Sequence, residues 1–169
     1  MASCASGPHG RTAEPWVVVG YLPQYRLGEF SAARIGPVTD LVYFSIEPRP
    51  DGSLDTSHVR ADDLSKLASI KAATGVRMLI TVGGWSRSQH FAVMAGDAAA
   101  RGRFVANVLG YCREHGFDGV DYDWEHPQGA QQNDDYAALL IESAAAFDAH
   151  GLKVTLAQAA WQNVGPEAY

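Results

Sequence analysis

Five short apolar runs, each bounded by Gly or Pro, alternate along this chain with segments of helical period, and that alternation limits the fold more than any other feature. Val17 Val18 Val19 Gly20 Tyr21 Leu22 stops at Pro23, and Leu41 Val42 Tyr43 Phe44 Ser45 Ile46 stops at Pro48 and the Asp51 Gly52 turn. Met78 Leu79 Ile80 Thr81 Val82 ends at Gly83 Gly84, Phe117 to Trp124 closes on Pro127, and Leu152 to Ala157 is entered through Gly151. Runs so short, apolar and rich in β-branched residues read as strands buried on both faces. Between them, Leu64, Leu67, Ala68 and Lys71 share a helix face that ends at Gly75. Phe104, Val105, Val108, Leu109 and Cys112 form a second stripe, with Asp97 as N-cap and Gly116 as stop. Tyr136, Leu139, Leu140, Ala144 and Phe147 form a third, expected from near Asn133 to Gly151. After the first strand, Phe30 to Ile35 leaves room only for a short helix before Pro37.

Strands that alternate with helices pair in parallel through right-handed crossovers, so the class is α/β. Neither GxGxxG nor GxxxxGK[ST] occurs, which disfavours a nucleotide-binding open sheet. Composition adds exclusions. A net charge of −6 with no basic stripe argues against nucleic acid as a partner. Stretches such as Val17 to Val19 and Ala137 to Ile141 fall far short of the ~20 apolar residues that span a bilayer, so no membrane partner is expected and the chain is read as soluble. Cys4 and Cys112 offer neither a disulfide framework nor a CxxC pair. Residues 1–15 lack the apolar run of a signal peptide and read as a disordered leader, which leaves localisation open.

The chemistry concentrates in Asp118 Gly119 Val120 Asp121 Tyr122 Asp123 Trp124 Glu125. Alternation along a strand puts Asp121, Asp123 and Glu125 on one face and Val120, Tyr122 and Trp124 on the other. Three acids at successive same-face positions, about 7 Å apart, are costly to bury unless protons are shared, so at least one pKa should be raised. Such coupling keeps a carboxylic acid protonated for general acid catalysis. A solvated acidic edge would not interleave Val120, Tyr122 and Trp124 with its charges. A metal site from Asp123, Glu125 and His126 is the competing chemistry, and no second His stands at ligand spacing. Glu125 comes last, at the carboxyl end of the strand, where α/β sheets and barrels carry their active sites.

These residues also carry a resemblance. Asp118 to Glu125 matches in full the DxxDxDxE signature of the family 18 glycoside hydrolases, the chitinases and their relatives. Thr81 Val82 Gly83 Gly84 is similar to that family's SxGG element, with Thr for Ser, and Trp85 follows as in many chitinases. Val19 Gly20 Tyr21 resembles the family's first strand and Leu41 to Ser45 its second, so the likeness covers about residues 16–162. The resemblance implies a (β/α)8 TIM barrel, with residues 16–169 as a partial catalytic barrel. It implies Glu125 as the general acid, Asp123 as the residue that orients the substrate's nucleophilic 2-acetamido group, and Asp121 as support for Asp123. Spacing alone, at about 7 Å between carboxyls, fits the inverting window of two-carboxylate glycosidases. The resemblance implies retention by substrate-assisted catalysis instead. No cofactor or metal is expected.

Sugar rings stack on aromatic side chains, so Tyr21, Phe44 and Trp85, at or near strand ends, are candidate walls of a saccharide site. Trp124 has the opposite parity from Glu125 and is expected under the helices, while Trp161 follows the fifth strand and fits either place. Gly83 and Gly84 lack the Lys or Ser of a phosphate loop and are read as a close-packing turn of the substrate site. His126 stands where most family members have Tyr, within reach of sugar. A closed barrel takes about 250 residues, roughly 31 per strand-helix unit, so 169 residues accommodate about five strands. The expected substrate is chitin or an N-acetylglucosamine oligosaccharide. The alternatives are a non-catalytic carbohydrate-binding relative and an endo-β-N-acetylglucosaminidase. Intact Glu125 favours an enzyme. Five strands alone are expected to show weak or no activity and to self-associate through open sheet edges.

Overall fold

A computed structural model describes residues 16–158, and in it the five apolar runs form five parallel strands. They are β1 (Val19–Pro23), β2 (Asp40–Pro48), β4 (Arg77–Gly83), β5 (Gly119–Asp123) and β6 (Lys153–Leu156); a two-residue β3 (Leu54–Asp55) pairs antiparallel with the end of β2 after the Asp51–Gly52 turn. The helices are α1 (Ala61–Thr74), α2 (Phe91–Gly96), α3 (Ala98–His115) and α4 (Gly129–Asp148). Residues 1–15, read as a leader, and Trp161 lie outside the described residues.

The spatial order β1-β2-β4-β5-β6 keeps every parallel strand beside its predecessor. Each crossover therefore steps the same way and lays its helix on the same face, as in a (β/α) barrel; a doubly wound sheet reverses direction and covers both faces. The register couples Tyr43 to Ile80 and Ile80 to Val120. These residues, with Tyr122 and Trp124, face the helices and pack against Phe91, Phe104, Leu139 and Phe147. Each such aromatic, fully buried, stabilises the fold by about 1.5–3 kcal/mol. The opposite, concave face carries Val42, Leu79, Thr81 and Asp121 in register with one another or one step apart along the strands.

Several boundaries differ from the sequence expectation. The first strand is not buried on both faces: Val19 and Tyr21 are 49% and 52% exposed, because among the described residues β1 pairs only with β2 and its concave side lies open. β5 begins at Gly119 rather than Phe117 and ends at Asp123, so Trp124 and Glu125 lie just beyond the ladder. α4 starts at Gly129, a turn before Asn133, because the Gln132 side chain reaches back to accept the Gln128 amide at 2.7 Å and caps the first turn. α2 was not anticipated; Asp97, in extended conformation, breaks it from α3 and accepts from Ala100 N–H at 2.7 Å as the expected N-cap. The short helix expected within Phe30 to Ile35 is a single 3-10 turn at Ala32–Arg34, and a second, unexpected 3-10 segment precedes it at Gln24–Glu29. No helix of the described residues is long and apolar enough to cross a membrane.

Candidate active site

The acidic motif divides into parts with different duties. Asp118 sits at the entry to β5, where its carboxylate accepts from Met78 N–H at 2.8 Å and pairs with Lys71 at 2.7 Å. It ties β5 to β4 and α1 and takes no part in the acidic cluster further along the strand.

Asp121 is the deepest carboxylate, only 2% exposed, in register with Thr81 of β4 and Thr155 of β6. Tyr21 Oη reaches across the concave face from β1 and donates to Asp121 Oδ2 at 3.2 Å, while Thr155 Oγ1 donates to Oδ1. Burial pushes the Asp121 carboxyl above the usual carboxylate range, and the two hydroxyl donors oppose that rise. The Tyr21 phenol is itself pushed up to about 12, by burial first and by Asp121 next, so it remains a donor throughout the neutral range. Thr81 Oγ1 is buried in the same layer and has no hydrogen-bond partner among the described residues.

Asp123, half-buried at the last ladder position, has its carboxyl pushed up to about 6. Burial is the largest cause, followed by the charges of Glu125 and Asp121, and His126 works the other way. The raised carboxyl that the spacing demanded is thus placed between a buried acid below and a half-buried one above. Glu125, also half-buried, follows Trp124, whose indole is stacked on Phe91 at 5.2 Å and meets Tyr136 edge-on at 5.3 Å beneath the helices. Fixing Trp124 there turns Glu125 toward the opposite side, as alternation requires.

The turn after β4 forms the floor beside these acids. Gly83 and Gly84 both have φ near +100°, open only to glycine without strain, and Gly84 N–H donates to the Asp123 carbonyl at 2.7 Å. A Cβ on Gly84 would overlap the Phe44 ring and lie 3.2 Å from Asp123 Oδ2, so Phe44, half-buried in β2 where its pairing with β1 ends, closes on Asp123 across a bare backbone. Trp85 projects past this turn and is 78% exposed, and Tyr25, after β1, is exposed as well. His126 is half-buried next to Glu125. Tyr21, Phe44, Gly83, Gly84, Asp121, Asp123, Glu125 and His126 are therefore gathered at the carboxyl ends of β1, β2, β4 and β5, with Trp85 on the rim.

Four residues of this region were not singled out by sequence. Ser45 Oγ donates to the Gly83 carbonyl at 2.9 Å, and Arg87 donates to Ser45 O and Oγ at 3.2 and 3.1 Å with its guanidinium 5.7 Å from the Phe44 ring centroid. Ser88 bonds to the backbone around Glu125, and Thr155 holds Asp121. None of these left a signal in the sequence, because each acts across separate elements, Thr155 through the register of β6 on β5. Chemically, the arrangement offers a half-buried carboxyl, a neighbour pushed up to about 6 by burial and by the adjacent charges, and a buried acid held by two hydroxyls, beside aromatic surfaces suited to a sugar ring.

Residues 17–169 match the glycosyl hydrolases family 18. Chitinase 1 of Aphanocladium album is 34% identical over 105 residues, which are 59% of this chain and 24% of the fungal protein. Probable chitinase 2 of Drosophila melanogaster is 33% identical over 99 residues, 56% of this chain and 20% of the fly protein. Among solved structures, the Group IV chitinase of Ostrinia furnacalis in complex with allosamidin superposes with a TM-score of 0.78 at 29% identity, over 88% of this chain and 45% of that one. The chain thus spans a fifth to a quarter of these curated relatives and under half of the insect chain.

Proposed function

This chain belongs to glycosyl hydrolase family 18, and from that premise we propose that it carries the proton donor and the acetamido-orienting carboxylates of a hydrolase acting on β-1,4-linked N-acetylglucosamine. The observation that supports this most directly is the set Asp121, Asp123 and Glu125 on one face of the strand end, with Asp121 buried and Asp123, pushed up to about 6, next to the half-buried Glu125. In the proposed cycle Glu125 gives its proton to the glycosidic oxygen as the bond to the anomeric carbon breaks. The carbonyl oxygen of the substrate's own 2-acetamido group forms the new bond to that carbon from the opposite side. Asp123, anchored through its carbonyl and supported by Asp121, Tyr21 and Thr155, holds the acetamido N–H and stabilises the positive charge of the cyclised intermediate. Water then opens the intermediate while the Glu125 carboxylate takes its proton, and two inversions give net retention. Phe44, Trp85 and Tyr21 would supply stacking surface and His126 a contact near the leaving group. An intact Glu125 favours this over a purely binding role.

In the full-length protein, Glu125→Gln should retain chitooligosaccharide binding while kcat falls at least ~100-fold, the usual worth of a general acid. Hydrolysis at the wild-type rate would remove Glu125 from the mechanism. A thiazoline analogue of the cyclised intermediate should inhibit competitively, and equal hydrolysis of a de-N-acetylated oligomer would rule out acetamido participation. The outer edges of β1 and β6 are unpaired among the described residues, and an open groove between α4 and β6 is lined by Ala144, Ala145, Asp148, Leu152 and Val154. We propose that residues 1–169 alone turn over little substrate and self-associate at these edges; a monodisperse, active monomer in size exclusion would refute this.

A further inference from the structure

We propose that Ser88 is a positioning residue for the proton donor, fixing Glu125 relative to Asp123 by holding the backbone on both sides of Trp124. The proposal rests on the reading of Glu125 as that donor. Ser88 belongs to the loop between β4 and α2, not to β5, and is 8% exposed. Its Oγ accepts from Glu125 N–H at 3.1 Å and lies 2.9 Å from the Asp123 carbonyl and 3.1 Å from that of Gly84. A hydroxyl has one proton to give, and the shorter contact assigns it to Asp123. The same oxygen therefore joins the two acidic residues of the strand end, one as acceptor and one as donor.

Glu125 needs such a hold because the sheet no longer supplies one. The ladder with β4 ends at the Gly83–Asp123 pair and that with β6 at the Tyr122–Leu156 pair, so Glu125 lies two residues past the last pairing. The loop that carries Ser88 is itself anchored on both sides. Arg87 N–H donates to Gly84 O at 2.9 Å, its guanidinium donates to Ser45 of β2, and Phe91 N–H donates to Ser88 O at 3.2 Å. Loop and strand end then meet through Gly84 N–H on Asp123 O, Ser88 Oγ on both Asp123 O and Glu125 N–H, and the Phe91 ring on the Trp124 indole.

Deleting the hydroxyl does not affect the two acids equally. The Asp123 carbonyl keeps the Gly84 N–H at 2.7 Å, whereas the Glu125 amide loses the hydrogen bond that Ser88 provides. Ser88→Ala thus frees Glu125 while leaving Asp123 held. A displacement of about 1 Å in a reacting group costs roughly 100-fold in rate, so a small drift of the Glu125 carboxyl is enough to see.

The test compares Ser88→Ala with Ser143→Ala, which deletes another buried hydroxyl, 2.9 Å from Tyr122 Oη in the core and away from the carboxylates. Turnover of a fluorogenic chitobioside by the full-length wild type, lost in Glu125→Gln, first establishes the hydrolase. Ser88→Ala should then lose about 10- to 100-fold in kcat with KM within threefold. Ser143→Ala should melt lower by a similar amount yet keep wild-type kcat, and equal kcat in the two variants overturns the proposal. Amide hydrogen exchange decides it independently of turnover: exchange at the Glu125 amide should quicken about three- to tenfold in Ser88→Ala and not in Ser143→Ala. Unchanged protection at Glu125 refutes the positioning role, while a wild type that turns over nothing refutes only the hydrolase.

Discussion

Replacing Gly84 or Gly83 by alanine adds the same methyl group at adjacent residues, and the structure assigns the two changes different consequences. Both residues sit at φ near +100°, where an L side chain carries a strain of about 1–3 kcal/mol. At Gly84 the new methyl meets the far end of the Phe44 ring, a half-buried side chain free to swing aside. Swinging aside gives up the Arg87 contact over that ring, worth about 0.5–1 kcal/mol. The sum is roughly 2–4 kcal/mol, below the 5–15 kcal/mol that holds a domain together, so Gly84→Ala should fold. At about 2–4 °C per kcal/mol for a chain of this size, it should melt roughly 5–15 °C lower. At Gly83 the methyl runs into the Asp123 carbonyl oxygen and 2.7 Å from Cε2 of Phe91, which is fully buried between Phe104, Tyr122 and Trp124. Neither can rotate away, so β4 and β5 must part, and overpacking of about 1–3 kcal/mol or more adds to the strain. Calorimetry should therefore show Gly83→Ala melting well below Gly84→Ala. Titration with a tetramer of N-acetylglucosamine should show Gly84→Ala at least ~10-fold weaker, because the methyl fills the space between Phe44 and Asp123. A Gly84→Ala protein with wild-type affinity, or one less stable than Gly83→Ala, would refute this account of the turn.

Other perturbations separate charge from packing. Asp123→Asn should stabilise the fold in urea titrations above pH 6, by about 1 kcal/mol or more, with the gain fading to nothing below about pH 4. The sign follows because a carboxyl raised to about 6 on folding costs stability once the unfolded chain ionises near 3.8, and the cost is full only above the folded value. Hydrolysis should fall sharply in the same variant, and a destabilised Asp123→Asn with normal turnover would contradict both statements. Asp40, held at about 2 chiefly by the Arg77 guanidinium, contributes stability that is complete above about pH 4 and is lost as pH falls toward 2; Arg77→Met should flatten that acid limb by about 2 kcal/mol. Trp85→Ala should leave the melting temperature within ~2 °C and weaken oligosaccharide binding, since a side chain so exposed packs against little; a large loss of stability with unaltered affinity would make Trp85 a packing residue.

What the sequence disclosed about this site was set by distance along the chain. Asp121, Asp123 and Glu125 share one strand end, so the two-residue period separates them from Val120, Tyr122 and Trp124 before any tertiary structure is known. The burial of Val120, Tyr122 and Trp124 under the helices follows that parity. The helix ends at Gly75 and Gly116 were legible for the same reason, since a left-handed C-cap is a local event. The start of α4 was not, because Gln132 caps a turn that carries none of the usual N-cap residues. Exposure of Val19 and Tyr21 was equally hidden, since an apolar run is the same string of letters at a sheet edge or in its middle. Thr155 meets Asp121 only because β5 and β6 pair in one register, and a shift by one residue would turn its hydroxyl to the helices. Ser88 is further from any pattern. It lies in an irregular loop, turned by Ser86 at φ +62°, and reaches residues 35 and 37 positions away. Residues placed by the period of their own strand are readable one by one, whereas residues that hold those carboxyls in place depend on the packing of separate loops and strands, where single-sequence patterns carry no phase. The reacting groups were therefore visible in the motif, and the groups that set their distances were not.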